Sequence, residues 1–285
     1  MKRLAPLLLL FFVLTGVACI PDLPDDTSTV REIRILAIKS EPAEARPGLP
    51  VKLTALVAGD TRIEWGLCNI RKPLTELGPV AQQCIDGFAV GGDSFVRLSA
   101  GIDTNATIPQ DACRRFGPAA PPADASGVAG RPVDPDPTGG YYQPVVAGSG
   151  AGTVLASVRI ACGVTGVPNA ESVKFTKGYK PNENPVVERI DVPERVARGA
   201  RIDVQAQANA PEKYLWANPD TRLVEERRES LTFTWFATAG TFADARSEGA
   251  NTWTAPDAPG AAHLWIVLRD DRGGVSWSER AIVVE

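Results

Sequence analysis

The pattern that most constrains the fold is the alternation of apolar and polar residues in short runs. Residues 51–58, VKLTALVA, alternate in this way, and Leu231, Phe233 and Trp235 form a stripe on one side of a second run. Such alternation is the period-2 signal of a half-buried β-strand. Residues 186–285 sustain no 3.6-residue apolar stripe apart from one charged run before Leu231. The chain is therefore predicted to be all-β.

The strand signals fall into two groups. Residues 186–285 contain six or seven short predicted strands and a buried tryptophan, which is typical of an immunoglobulin-like sandwich. Residues 180–185, KPNENP, are predicted to link the two groups, because prolines restrict their neighbours and nothing there is apolar. In the first group the predicted strands are residues 31–38, 51–58, 62–68, 153–162 and 172–179.

The two halves repeat the same order of a glycine-containing turn, a strand and a tryptophan strand. Gly48 matches Gly199 in this order, and Trp65 matches Trp235. Shared geometry is the simplest cause of such a match. Two immunoglobulin-like β-sandwich domains are therefore predicted.

The first domain is predicted to span residues 31–179 and to carry a long Pro/Gly-rich insertion at about residues 69–150. Within it, residues 117–150 contain 7 Pro and 7 Gly in 34 positions and show no apolar periodicity. Gly and Pro interrupt regular structure. This stretch is predicted to be a long mobile loop.

The first 18 residues have the pattern of a secretory signal peptide. Lys2 and Arg3 precede an apolar run from Leu4 to Leu14, and small residues lie just before Cys19. A membrane-spanning helix needs about 20 apolar residues, so this run is too short to be one.

Residues 16–19, Gly-Val-Ala-Cys, resemble the lipobox of bacterial lipoproteins. The resemblance implies that cleavage follows Ala18, that Cys19 receives a diacylglycerol, and that residues 19–30 form a flexible tether. It also implies location at the outer membrane, on the periplasmic or the surface side, because Ile20 is not the Asp that retains enteric relatives at the inner membrane. An ordinary secretion signal cut at the same place is the alternative.

Three stretches of the second half, residues 232–242, 251–256 and 263–277, resemble the PKD-type and other Ig-like repeats of bacterial surface proteins. The resemblance covers about 100 residues and implies a D-x-x-G turn between the last two strands, from Asp270 or Asp271 to the following glycines. The first half resembles the family more weakly. Such sandwiches host many roles, so this likeness concerns the fold rather than the function.

Five cysteines are present, and four remain if Cys19 carries lipid. An even number in an exported chain predicts two disulfides, with three possible connectivities. Short loops favour Cys68 with Cys84 and Cys113 with Cys162. Their spacing lacks the C-x₂-C pairs of zinc sites.

Composition and motifs argue against several kinds of chemistry. Without residues 1–18 the chain has 28 basic and 34 acidic residues, a formal charge of −6, which predicts no nucleic-acid partner. His263 is the single histidine, so a histidine metal cluster is not expected and a Ser-His-Asp relay would have to use this residue. A base or metal ligand at His263 is the alternative to the favoured interpretation, a histidine at the face or edge of a sheet. No catalytic site, enzymatic activity or cofactor is predicted.

No metal site is predicted either, although two groups of oxygen ligands come nearest to one for calcium. One group is Asp103 and Asn105, with Asp111 beyond them. The other is Asp270 and Asp271, whose expected role is to close the turn before Gly273.

The candidate recognition loop is residues 209–229, which carry Tyr214, Trp216, Arg222 and Arg228. Tyr, Trp and Arg are enriched in binding hot spots, and loops at a sandwich end often bind ligands. The alternative is that Leu215 or Trp216 folds back and covers the open end of the sandwich.

Together these features predict a lipid-anchored, non-enzymatic cell-envelope protein that acts in binding, adhesion or scaffolding. Its expected partners are the membrane, through the anchor, and another envelope protein or a surface polysaccharide. One alternative is a carbohydrate-binding module that uses exposed Trp253, Trp265 and Trp277. A less favoured one is a carboxylate-based hydrolase capped by residues 69–150.

Overall fold

Two β-sandwiches follow one another along the chain, and each encloses its own apolar core. The computed structural model describes residues 27–73, 75–117, 137–150 and 152–285. The predicted all-β, immunoglobulin-like fold class is confirmed. Cys19 and the predicted signal peptide lie outside the described residues.

The first sandwich has two sheets, in the orders β1-β3-β6 and β2-β8-β7-β4-β5. Its strands are β1 (Arg34–Glu41), β2 (Glu44–Ala45), β3 (Pro50–Ala58), β4 (Glu64–Cys68), β5 (Phe95–Arg97), β6 (Asp103–Thr107), β7 (Gly140–Ser149) and β8 (Gly152–Ala161). Between the sheets lies a core that includes Leu53, Trp65, Val145 and Ile160.

The second sandwich has sheets in the orders β9-β11-β17-β15 and β10-β19-β18-β14-β16, and a separate hairpin, β12-β13. Its strands are β9 (Val187–Asp191), β10 (Arg195–Val196), β11 (Arg201–Ala208), β12 (Lys213–Ala217), β13 (Val224–Arg228), β14 (Thr232–Ala237), β15 (Thr241–Phe242), β16 (Arg246–Ser247), β17 (Ala250–Thr254), β18 (Gly260–Arg269) and β19 (Val275–Val284). Its core includes Val204, Trp235, Trp253 and Ile266.

The two sandwiches share one topology, which explains the repeat in the sequence. In each, a two-residue strand pairs in parallel with the last strand, β2 with β8 and β10 with β19. The turn after that strand needs a left-handed glycine, Gly48 at φ 79° and Gly199 at φ 65°. Trp65 on β4 and Trp235 on β14 are buried at the centre of each core.

The predicted insertion is not one excursion from the sandwich. Helix α1 (Gln82–Val90) lies between β4 and β5, and helix α2 (Ala112–Phe116) lies between β6 and β7. Strands β5, β6 and β7 all fall within residues 69–150 and belong to the sheets. The prediction of a single insertion was therefore wrong.

The prediction of a mobile loop over residues 117–150 was wrong for residues 140–149, which form β7 between β4 and β8. Pro144 obscured the strand signal, because proline is rare in central strands. Pro144 is tolerated because the pairing between β7 and β4 ends at Val145, one residue before it is reached. Beyond that point the side chain of Gln143, on β7, donates to the carbonyl of Cys68, on β4, at 3.1 Å.

Residues 172–179 were predicted as a strand, but they lie almost wholly in helix α3 (Asn169–Gly178). Phe175 is the one buried side chain of this helix. A helix that buries so little has no apolar stripe for the sequence to show.

Two disulfides tie the short helices to the sandwich. Cys68 at the end of β4 is bonded to Cys84 on α1, and Cys113 on α2 is bonded to Cys162, just after β8. In both pairs the Cα atoms lie 5.4 Å apart. This is the pairing that short loops favoured.

The two sandwiches pack side by side through an apolar contact outside both cores. The outer face of β1 and β3 meets the outer face of β14, β18 and β19, and Arg269 donates to the carbonyl of Leu36 at 3.2 Å. The residues of this contact are Val30, Leu36, Ala37, Leu56, Ala58, Phe236, Trp265, Val267 and Val275, with Trp277 at its edge.

Residues 28–30, here called the N-terminal strap, extend this contact. They were predicted as part of a flexible tether, but Thr29 forms a parallel bridge with Ala237 of β14. Ser28 and Val30 are both buried. Residues 28–30 therefore belong to the folded protein.

Candidate functional site

The predicted linker, residues 180–185, is bonded to both sandwiches. Asn182 is only 2% exposed, and its Nδ2 donates to Asp270 at 3.1 Å. Asn184 donates to the carbonyl of Ser40 in the first sandwich and accepts from the N–H of Val275 in the second, each at 2.8 Å. The linker is thus a joint that is held to both sandwiches.

A buried ion pair lies under this joint. Arg159 Nε donates to Glu44 at 2.9 Å, and both side chains are almost fully buried. Glu44 also accepts from the N–H of Asn182 at 2.9 Å and from the Tyr179 hydroxyl. Burial, and then the charge of Glu44, raise the pKa of Tyr179, so it stays protonated and donates.

A second buried cluster centres on Arg272, in the turn between β18 and β19. Its guanidinium donates to Glu229 at 2.7 Å and to Glu212 at 2.9 Å, and it lies 4.8 Å from the ring centre of Tyr214. Burial raises the pKa of Glu229 although Arg272 opposes that shift. The cluster fastens the β12-β13 hairpin to the turn.

These two clusters hold every buried charged side chain of the described residues, namely Glu44, Arg159, Glu229 and Arg272. Sequence reasoning missed them. Arg159 lies on the side of β8 opposite to the apolar residues, so alternation predicted exposure to solvent. Instead its guanidinium donates to Tyr142 at 3.1 Å and to Thr138 at 3.0 Å, while the linker and Tyr179 cover its partner Glu44. No local signal reports such coverage.

The predicted recognition loop is a β-hairpin, not an irregular loop. Tyr214 is buried against Arg272, and Trp216 is half-buried beneath the guanidinium of Arg227. Of its four candidate residues, Arg222 and Arg228 are exposed.

Helix α3 packs against this hairpin, whose Leu215 approaches Gly178. The turn of the hairpin is its most exposed part. Asn218 Oδ1 accepts from the N–H of Asp220 at 2.9 Å and of Thr221 at 3.2 Å, which shapes the turn. Arg222 adopts φ 58°, and Leu223 beside it is 51% exposed. We define residues 218–223 as the hairpin tip.

The tryptophans proposed for carbohydrate binding form no exposed row. Trp253 is fully buried in the second core, and Trp265 is 6% exposed in the contact between the sandwiches. Trp277 is half-buried there, with the ammonium of Lys39 over its ring. The structure therefore contradicts that alternative.

The oxygen ligands considered for calcium have other partners. Asp103 pairs with Lys52 at 2.9 Å, beside exposed Asn105 on β6. Asp270 accepts from the N–H of Arg272 at 2.8 Å and of Gly274 at 2.7 Å, which closes the turn as expected. Burial raises the pKa of the neighbouring Asp271. Within the described ranges no three His, Cys, Asp or Glu side chains cluster as metal ligands.

His263 is half-exposed on β18, where its ring stacks on Trp265 and its Nε2 lies 3.2 Å from Glu279. A cavity of about 530 Å³ lies over β7 and is lined by Tyr141, Tyr142 and Pro144 among others. Gly117 and Pro137 also line it. We assign no ligand to this cavity.

None of the helices in the described ranges has the length and apolarity to cross a bilayer.

Comparisons with known proteins add a distant likeness in fold. The chain is similar to fibronectin(III)-like modules of Clostridium thermocellum CbhA, with 12% identity over 87% of this chain and 93% of that one, at a TM-score of 0.26. It is also similar to the D00-D0 domain of intimin, with 11% identity over 87% and 100% of the two chains, at a TM-score of 0.24. Tandem Ig repeats of Dlar give 10% identity over 90% and 97%, at a TM-score of 0.23.

No protein-family model matches the sequence, and no curated protein does. With TM-scores this low, the structural likeness carries no functional argument. The class of protein, one with tandem Ig-like domains, rests on the two sheets and the core of each sandwich described above.

Proposed function

We propose that this protein is a lipid-anchored protein of the bacterial cell envelope that acts by binding or scaffolding, without catalysis. Cys19 carries the lipid in this proposal, and the two domains, the second of PKD type, lie on the periplasmic or the surface side of the outer membrane. Its partner is another envelope protein, which the exposed hairpin tip contacts.

The observation that carries the proposal is that the buried charged residues of the described chain all lie in the two clusters that fix the sandwiches and the hairpin together. Charges held in ion pairs and covered by the joint are inaccessible to a substrate. A rigid pair of domains with an exposed tip suits a scaffold, because little order must be gained on binding.

The experiment compares wild type with Cys19→Ser, which removes the acylated thiol. We expect wild type to incorporate labelled palmitate and to sediment with membranes, because buried acyl chains contribute about 0.8 kcal/mol per CH₂. Cys19→Ser is expected to be unlabelled and soluble in the periplasm. Asp26→Asn changes the same tether, keeps the thiol and should behave as wild type.

A second experiment tests binding of the partner. Tagged mature wild type, cross-linked in intact cells, should capture a defined partner that Arg222→Ala captures several-fold less well. Arg189→Ala is the matched control, because Arg189 is an exposed arginine on β9. Membrane retention of Cys19→Ser would contradict the lipid anchor. Equal capture of the partner by wild type, Arg222→Ala and Arg189→Ala would contradict the role of the hairpin tip.

A further inference from the structure

The N-terminal strap follows Thr27, the first described residue, which we call the exit point of the proposed tether. Val30 donates its N–H to the carbonyl of Ala237 at 2.7 Å, and Ala237 donates to the carbonyl of Ser28 at 2.9 Å. Thr29 Oγ1 donates to the carbonyl of Gly240 at 3.3 Å. The strap thereby continues the sheet at the edge of β14, a strand of the second sandwich.

The strap is also held to the first sandwich, which begins four residues later. Arg34, the first residue of β1, donates to the carbonyl of Thr27 at 3.1 Å, and its guanidinium lies 5.5 Å from the ring centre of Phe236. Val30 is buried in the contact between the sandwiches. The exit point at Thr27 therefore cannot move relative to either domain.

Only eight residue steps separate Cys19 from Thr27. An extended chain spans at most about 3.6 Å per residue, so a lipid on Cys19 lies within roughly 29 Å of Thr27. A ten-residue strand such as β7 is itself about 33 Å long. The tether is thus too short for the anchor to reach the opposite end of the first sandwich.

The end of the first sandwich next to the exit point, which we call the anchor end, comprises residues 31–33 and 59–62 with Ser149, Gly150 and Gly152. Ile33 lies beside Gly59, and a shallow pocket joins Ile33 to Ser149 and Gly152. Ile33 is 41% exposed there.

The hairpin tip lies at the other end, because Ala217 donates to the carbonyl of Pro137 at 2.7 Å, just before β7 begins. At the anchor end β7 finishes, where Gly148 pairs with Glu64.

We infer that the anchor end faces phospholipid headgroups and that the hairpin tip points away from the membrane. This inference rests on the lipid anchor of the proposed function, and it adds an orientation that the anchor alone does not supply. A free tether would let the protein tumble, whereas the strap holds its exit point at one end.

Fluorescence quenching tests the orientation. The lipidated protein is labelled on a single introduced cysteine, Asp60→Cys at the anchor end or Asp220→Cys at the hairpin tip, both exposed positions. The four cysteines of the described chain are in disulfides, and Cys19 is acylated. Each protein is reconstituted into phosphatidylethanolamine–phosphatidylglycerol vesicles that contain a lipid with a nitroxide on its headgroup. We expect several-fold stronger quenching at position 60 than at position 220.

A longer tether is the control that leaves the fold intact. Inserting a Gly-Ser linker of about 20 residues after Asp26 raises the root-mean-square reach of the tether from roughly 16 Å to roughly 29 Å. The difference in fluorescence quenching between labels at positions 60 and 220 should then become smaller. Val30→Pro, which cannot donate to Ala237, should act in the same direction.

The outcomes separate the orientation from the anchor. Equal quenching at both positions, or stronger quenching at position 220, in protein that floats with the vesicles overturns the orientation and leaves the anchor standing. Wild type that lacks an acyl group and does not float overturns the anchor and, with it, the basis of the orientation.

Discussion

At the scale of single residues, Glu44 shows how a charge in a β-sandwich becomes structural. It pairs in register with Arg159 across a two-residue parallel strand, and it accepts from Tyr179 and Asn182 of the joint. A buried carboxylate is tolerated only when such donors replace water. Glu44 therefore couples the edge of one sandwich to the joint that leads to the next.

Replacing Glu44 with Ala leaves Arg159 buried without its counter-charge. We expect the free energy of unfolding to fall by about 3–5 kcal/mol, as is usual when one partner of a buried pair is removed. Chemical denaturation of the mature protein measures the change. Glu41→Ala removes a mostly exposed partner of Lys39 and should cost under about 1 kcal/mol. Similar small losses in both variants would contradict a structural role for the pair.

At the scale of elements, the two disulfides fasten short helices that bury few residues of their own. Helix α1 buries Cys84 and Gly87, and helix α2 buries Ala112 and Phe116. Helices of nine and five residues are not stable alone. The covalent links to β4 and to the end of β8 hold them on the first sandwich.

Removing the two disulfides separately should cost different amounts of stability. They close loops with sequence separations of 16 and 49 residues, for which the chain-entropy model gives about 3 and about 4 kcal/mol. We therefore expect Cys113→Ser with Cys162→Ser to lower the free energy of unfolding more than Cys68→Ser with Cys84→Ser. Denaturant titrations under identical conditions make the comparison, and the reverse order would refute it.

At the scale of the whole molecule, the contact between the sandwiches decides the arrangement of the domains. Faces of β1, β3, β14, β18 and β19 that a lone sandwich would expose to water are covered by one another. The strap, Asn182 and Asn184 add polar contacts around this apolar area. The pair is therefore expected to behave as one rigid body.

Ala37→Glu places a charge in the middle of this contact, at a residue that is 4% exposed. We expect the sandwiches to separate while each stays folded, because their cores are distinct. Small-angle scattering of the soluble Cys19→Ser form should give a radius of gyration near the roughly 18 Å of a compact chain this long, and Ala37→Glu should raise it. Ala250→Glu, at an exposed strand position, is the control that should not. An unchanged radius in both variants would show that the contact does not hold the domains together.

The sequence by itself predicted most strands of the two cores and the repeat, and loop length favoured the observed cysteine pairing among three possible ones. Alternation around Trp65 and Trp235 reports burial between two sheets, and Gly48 and Gly199 report a turn that only a left-handed residue satisfies. These are local features, since each depends on neighbours two or three positions away.

Only the tertiary structure decided which outer faces are covered. Glu44, Trp265 and Tyr214 lie at positions whose burial depends on a segment distant in sequence, namely the joint, the first sandwich and the turn at Arg272. Because β7 contains Pro144, it was not predicted as a strand, and helix α3, with one buried side chain, was predicted as one. Period-2 alternation predicts which face of a strand packs on the core of its own sandwich. It does not predict whether a second domain covers the opposite face.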